Sequence, residues 1–388
     1  MMPVVNGIDH GDTRRRHRGA QQMATVDHDP SGQLAPVVDD LSIYLICGRV
    51  TTKQERGFTH ISTALTDAQA AERLGFRRGW LSERFDLKDS GAILGGIAAR
   101  TTRFGVGTGV WSASSRHPMV AASFGATMNA LYGPRFVLGL GRGVPLPDMP
   151  ELSYDHFVHY AETVKALWQG GVVDYNGTQL RTIDALGDVP KPEVWACGYG
   201  RPKFAKAVAH DAFDAVMLYP FLTVDAVRTV VERLRNACAD RNRDPASLRI
   251  CHPIVVAAEL DEFSTRAYAH ARAVTYLEWP GHGEALTNSN GWDQSVLGKL
   301  RTHKQLMGKN ADQDFHRAEL MEPARLVPDE WMAESCAIGS VEHCADRLAE
   351  YRAVGVDEIA IYGSTPAENA ALIRCWRERA ARPASVGV

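Results

Sequence analysis

The sequence predicts an α/β protein, a (β/α)8 barrel, and three observations support that expectation. From about residue 39 onward, short apolar runs rich in β-forming residues alternate with longer stretches of helical period, as in a parallel sheet joined by crossover helices. About eight such units fill roughly 340 residues, which suits one large barrel better than the alternative, an open doubly wound sheet. Glycine-rich segments follow several of the apolar runs directly, at the points where a barrel opens its mouth.

Strands are expected at Leu41–Cys47, Gly79–Ser82, Phe104–Val110, Arg135–Leu140, Glu193–Cys197, Asp214–Tyr219, Arg249–Ala257 and Asp357–Tyr362. Thr66-x-x-Gln69 reads as a capping box opening a helix whose Ala68, Ala71 and Leu74 share a face, with Gly75 suited to the left-handed position that ends it. Ser340 is placed to cap a later helix with Val341, Ala345 and Leu348 as its apolar stripe, and Gly355 closes it. Residues 279–335, starting Trp279-Pro280-Gly281-His282-Gly283, fall between the last two strands as an insertion expected to cap the barrel mouth. Residues 1–38, rich in Gly, Asp, His and Pro, read as a disordered leader, which leaves 39–380 for the barrel.

Composition narrows the function classes. Of the 388 residues, 45% are hydrophobic and 23% charged, ample for a large buried core. A formal net charge of −3 gives no electrostatic footprint for nucleic acid or an anionic membrane. The seven cysteines stand singly with no C-x-x-C, so neither a disulfide framework nor a zinc ribbon is indicated, and free thiols suit a cytoplasmic protein. The basic run Arg14-Arg15-Arg16-His17-Arg18 has no apolar stretch behind it, which argues against a secretory signal. No segment reaches the ~18 apolar residues that a membrane span needs.

Two glycine clusters carry the chemical argument. Gly139-Leu140-Gly141-Arg142-Gly143 follows a strand, but Pro145, Pro147 and Pro150 come next, so no helix can start where a dinucleotide pyrophosphate would need one. A tight turn at a barrel mouth is the better reading. Cys197-Gly198-Tyr199-Gly200-Arg201 also leaves a strand and runs into a helix with Pro202 in its first turn. Together with Lys203 and Lys206 it forms a candidate phosphate cradle; the alternative is a plain turn with solvated basic residues. No expected strand contains the lysine of a Schiff-base aldolase, no G-x-S-x-G elbow is present, and His156 and His159 lack a clear third metal ligand. A barrel with a phosphate-holding loop and glycine-rich mouths suits a bound redox cofactor and a small-molecule substrate.

Several ordered motifs then resemble one family. Leu74-Gly75-Phe76 followed by Trp80-Leu81-Ser82-Glu83-Arg84, Phe104–Val110 followed by Arg116-His117-Pro118, Leu131–Gly143, Ala196–Gly200, and Gly339-Ser340 with Gly355–Glu358 are together similar to the bacterial luciferase-like superfamily, over residues 39–375. The overall likeness is nearest to its coenzyme F420-dependent branch. The resemblance implies F420 at the C-terminal mouth, or FMN as the alternative cofactor. Hydride would then pass between the deazaflavin and a lipophilic carbonyl or alcohol; the alternative is an FMN monooxygenase fed by a partner reductase. It leaves room for a homodimer and for a flavin or F420 reductase as partner. By position, Gly109-Val110 would be a cis peptide behind the ring, Gly198, Tyr199, Gly200 and Arg201 would hold the phosphate with Cys197 beside them, Gly141, Arg142 and Gly143 would line the mouth, and Glu83 would lie beside the ring. Arg84 stands where the family has histidine, and Val144 where the deazaflavin sugar-phosphate dehydrogenases carry a glutamate. Arg84 is therefore expected to orient substrate, under an aromatic cap supplied by Trp111, Trp279 and Trp292.

Overall fold

A computed structural model describes residues 34–45, 53–83, 88–143, 150–182, 187 and 189–381, giving backbone alone for 53–60, 62 and 381. Eight strands, β1 (Leu41–Tyr44), β2 (Arg78–Leu81), β3 (Gly105–Thr108), β4 (Phe136–Gly141), β5 (Glu193–Gly198), β6 (Ala215–Leu218), β7 (Arg249–Ala258) and β8 (Glu358–Tyr362), each overlap an expected segment. Neighbours in sequence pair in parallel, and β8 returns to β1 through Leu41↔Ile359, so the sheet closes on itself. The crossovers are α1 (Lys53–Leu74), α2 (Ser90–Arg100), α3 (Pro118–Tyr132), α4 (Tyr154–Trp168), α5 (Pro202–Val208), α6 (Val224–Asp240) and α7 (Val341–Ala353), with α8 (Ala370–Ala381) after β8. The open-sheet alternative is thereby excluded. No helix among the described residues is long and apolar enough to cross a membrane.

Local signals acted as their chemistry requires, with one exception. Ser340 accepts the His343 N–H at 3.2 Å, and Gly75 and Gly355 take φ of +90° and +100° at helix ends. Thr66 starts no helix. It lies inside α1, where its hydroxyl donates back to Thr63 O at 2.9 Å, because the helix had already nucleated upstream and a mid-helix threonine satisfies itself on the preceding turn. Most of the expected leader lies outside the described residues. Its last five residues are ordered: Val38 bridges Phe76, and Ala35 donates to Arg73 O at 3.0 Å. The excess chain between β7 and α7 reaches back to Glu262, ahead of the expected residue 279, and includes a π-helical turn at Ala267–Ala271.

The N-terminal end of the barrel is filled by charge and indole. Arg78 Nε lies 3.4 Å from Glu358 Oε1, with both side chains only 6% exposed, and Arg249 pairs with Glu193. Above them Trp80 and Trp195 meet at 4.8 Å between centroids, with the Arg78 guanidinium 5.1 Å from the Trp195 ring. Trp195 donates its indole N–H to Glu193 at 2.9 Å and Trp80 donates to Ser42 Oγ at 2.9 Å, so neither buried indole lacks an acceptor. A floor built this way leaves ligand access to the opposite, C-terminal mouth.

One carboxylate fixes the entry to β3. Glu72 Oε1 accepts from the N–H groups of Thr102 (2.8 Å), Arg103 (2.8 Å) and Phe104 (3.1 Å) and from the Thr102 hydroxyl (3.1 Å). Burial pushes this carboxyl up, but the donors outweigh it and its pKa falls below the ordinary glutamate value. The folded-state pKa is the lower one, so this stabilisation is complete above the unfolded value and is lost as pH falls through the folded value. Glu72→Ala should cost about 2–3 kcal/mol in urea unfolding at neutral pH, with the deficit shrinking in acid; an unchanged midpoint would refute the assignment.

Candidate active site

At the C-terminal ends of β3 and β4 the barrel wall is nearly bare of side chains. Gly107, Gly109, Gly139 and Gly141 fall there, and the Gly109–Val110 peptide is cis, at the position where the family resemblance places one. Thr108 locks the two strands, donating its hydroxyl to Gly139 O at 2.7 Å and accepting the Gly139 N–H at 2.8 Å. Val110 closes over this surface, with its Cγ2 3.1 Å from where a Cβ on Gly141 would stand. The glycines thus let Val110, Tyr44 and Trp80 pack directly on the backbone of these two strands.

The opposite face is aromatic. Tyr199, just past β5, stacks on Tyr219 from the end of β6 at 4.2 Å and 8°. Tyr44 from β1 meets Tyr362 from β8 edge to face at 5.0 Å and reaches across the barrel to Met217 Sδ at 2.8 Å. The insertion completes the wall. Its His282 Nδ1 lies 3.2 Å from the Tyr199 hydroxyl, and its Tyr276 hydroxyl lies 3.2 Å from that of Tyr362. Burial drives the phenols of Tyr44, Tyr199, Tyr219 and Tyr276 up from their ordinary value, so all four are neutral hydrogen-bonding groups near neutral pH. Burial, reinforced by Arg201, also lowers His282 and keeps it uncharged.

The insertion therefore lies over the mouth, but its contacts there come from tyrosine and histidine. Trp292 stacks on Trp331 at 4.5 Å and 6° and donates to Glu334 at 3.0 Å, which packs the insertion internally. Trp111 is buried at the base of α3, its indole donating to Ser90 Oγ at 2.6 Å. Of the three expected cap tryptophans, Trp279 alone stays half-buried beside the mouth, 6.2 Å from the His282 ring.

Glu83, just past β2, is almost wholly buried and is paired with Arg116. Arg116 also reaches Asp89 at 3.1 Å and lies 4.1 Å over the Trp111 ring. The other Glu83 oxygen, Oε2, has no hydrogen-bond partner. Glu83 is thus an anchored anion rather than a mobile acid, and the sequence motif did not foreshadow its commitment to Arg116. Arg84 and Val144 lie outside the described residues. Arg142, directly after β4, pairs with Glu151 at 2.6 Å, donates to Leu152 O at 2.8 Å and stacks on Tyr154, and its charge bears on the buried Tyr219 phenol.

The segment after β5 is rigidly held. Gly200 has φ +68°, and a Cβ there would stand 2.2 Å from Val230 Cγ1, so glycine is required on both counts. Its carbonyl accepts from Arg233 at 2.7 Å. Pro202 opens α5, whose first-turn N–H groups have no intrahelical acceptor, and Arg201, Lys203 and Lys206 are exposed along it. Burial pushes the Cys197 thiol up to about 12, so it is no thiolate nucleophile.

A closed barrel whose mouth joins glycine-lined strands to neutral phenols, beside a basic loop, has the build of an oxidoreductase barrel. The model of the luciferase-like monooxygenase family matches residues 43–358, and the chain belongs to that family. The phthiodiolone/phenolphthiodiolone dimycocerosates ketoreductase of Mycobacterium tuberculosis strain H37Rv is 24% identical over 284 residues, 69% of this chain and 72% of the relative. Among solved structures, the coenzyme F420-dependent tetrahydromethanopterin reductase of Methanopyrus kandleri shares the fold with a TM-score of 0.67 at 18% identity, covering 87% of this chain and 97% of the other. An F420-dependent secondary alcohol dehydrogenase in complex with an F420–acetone adduct gives 0.64 at 15% identity, covering 89% and 99%.

The Glu83–Arg116 pair yields a stability test. Arg116→Ala should destabilise the protein by about 3–5 kcal/mol, since it strands a buried carboxylate, whereas adding Glu83→Gln should recover part of that loss. Additive losses in urea melts would show that the two side chains are not coupled.

Proposed function

We propose that this enzyme transfers hydride between coenzyme F420 and a lipophilic carbonyl or alcohol. The observation that carries the reading is the row Arg201, Lys203 and Lys206, exposed directly beyond Gly198 and Gly200. F420 continues past its phosphate into an acidic tail, and cations at the pocket exit favour it over FMN, which ends at the phosphate. The glycine-lined backbone of β3 and β4 would carry a planar ring system, and the Gly198–Arg201 segment with its basic residues a phosphate. The ketoreductase relative and the two F420-dependent structures support the same reading, while the family's monooxygenases keep FMN with a partner reductase as the second.

The deazaflavin, when bound, supplies or accepts the hydride. The chain does the rest. Gly109, Val110 and Gly141 present the face for the ring, Gly198 to Arg201 hold the phosphate, and the tyrosine wall shields the reacting carbon from water. Glu83, fixed by Arg116, sets negative charge at the end of β2, next in sequence to Arg84. A guanidinium stays protonated at neutral pH, so Arg84 orients a substrate oxygen rather than acting as a base.

Titration should settle the cofactor. F420 is expected to quench tryptophan fluorescence with micromolar affinity, about −8 kcal/mol. Arg201→Glu should weaken F420 more than FMN. Tighter binding of FMN than of F420 by the unaltered protein would overturn the assignment.

A further inference from the structure

The insertion contributes more than a cover. Beyond its π-helical turn, Arg272 and Tyr276 fall four residues apart on one helical face, and the guanidinium lies 5.1 Å from the Tyr276 ring. Arg272 Nε donates to the Tyr362 hydroxyl at 2.7 Å, and Tyr362 lies 3.2 Å from the Tyr276 hydroxyl. Behind them Asp312 holds Arg272 at 2.6 Å. The order Asp312–Arg272–Tyr362–Tyr276 joins an ion pair to two phenols by hydrogen bonds. Tyr362 packs on Tyr44, whose hydroxyl is 3.0 Å from where a Cβ on Gly109 would stand, so Tyr362 lies one ring away from the cis peptide and Tyr276 one hydrogen bond further.

We propose that the Tyr276–Tyr362 pair, backed by Arg272, delivers the proton to the substrate oxygen during carbonyl reduction, with Tyr276 as the catalytic acid and Tyr362 and Arg272 as positioning and relay groups. This rests on the hydride-transfer reading above. When a bound, two-electron-reduced deazaflavin supplies hydride to the carbonyl carbon, the π-bond pair would move to oxygen, and Tyr276 would give that oxygen its proton. Tyr276 regains a proton from Tyr362. Negative charge then rests on the phenol that already receives the Arg272 N–H, where a charge-assisted bond stabilises it. Water reprotonates Tyr362 afterwards, and alcohol oxidation runs the sequence backward. Arg272 bears on both phenols, and the relay lets the charge end on Tyr362, which receives the Arg272 Nε–H at 2.7 Å.

The test combines binding to cofactor-free protein with turnover. The ring-preserving variants Tyr276→Phe and Tyr362→Phe should each weaken p-nitrophenolate binding to cofactor-free protein about tenfold, followed by its absorbance. With F420 and an aliphatic ketone, each should lower kcat about 100-fold with little change in KM or in F420 affinity. The double variant should lose no more than the worse single one, since the two act as a unit. Turnover within twofold of the unaltered enzyme in both single variants would overturn the relay while leaving the F420 reading intact. Failure of the unaltered protein to bind F420 would overturn that reading instead, and p-nitrophenolate binding would still judge the phenol pair. Equal p-nitrophenolate affinity in all forms would refute the pair as an oxyanion site.

Discussion

Trp80 and Trp195 occupy the barrel interior side by side, and their bulk limits what the neighbouring strands can carry. A Cβ at Gly107 would come within 2.3 Å of Trp80 Cζ3, so β3 must be bare where it passes the indole. Above the indoles and the Arg78–Glu358 pair, Gly109, Gly139 and Gly141 continue the glycine stripe, packed against Tyr44, Thr108 and Val110. The glycine-lined strands of the site are therefore continuous with the demand that the floor makes on β3.

The two faces of the mouth arise from different parts of the chain. Backbone from adjacent strands gives one face, whose shape is fixed by sheet hydrogen bonds and by Thr108. Phenols from β1, β5, β6, β8 and the insertion give the other, and each long side chain there needs a partner to hold its rotamer. The stacking of Tyr199 on Tyr219 and the contact of Tyr44 with Tyr362 supply it. Precision on one side comes from the main chain, and on the other from packing among side chains.

The strands and the principal caps were legible because each depends on residues close in sequence, and the cis position because the family resemblance places it there. The Asn176-Gly177 turn was equally legible in principle: φ of +54° and +77° closes a hairpin between Val172–Tyr175 and Thr178–Arg181, and that dipeptide signals such a turn. The aromatic wall was not legible. Tyr44, Tyr219, Tyr276 and Tyr362 are scattered over more than three hundred positions, and no local pattern announces that closure of β8 on β1 brings the first and last together. For the same reason the cap was assigned to Trp111 and Trp292, whose burial depends on distant partners. Arg116 belongs to a legible motif, but its bond to Glu83 spans α2 and β3.

Midway along the insertion, an asparagine adds to the ties that Arg272, His282 and Arg317 make to the barrel. Asn290 donates to Phe221 O at 2.7 Å and accepts the Thr223 N–H at 3.0 Å, tying the insertion to the loop that follows β6. Its chain ends are covalently fixed after β7 and before α7, so the segment is a clasp: hinged on the barrel at both termini and latched midway. Drift in its sequence can reshape what enters the mouth without touching a strand of the barrel, which gives such a scaffold room to acquire new substrates while its cofactor face stays constant.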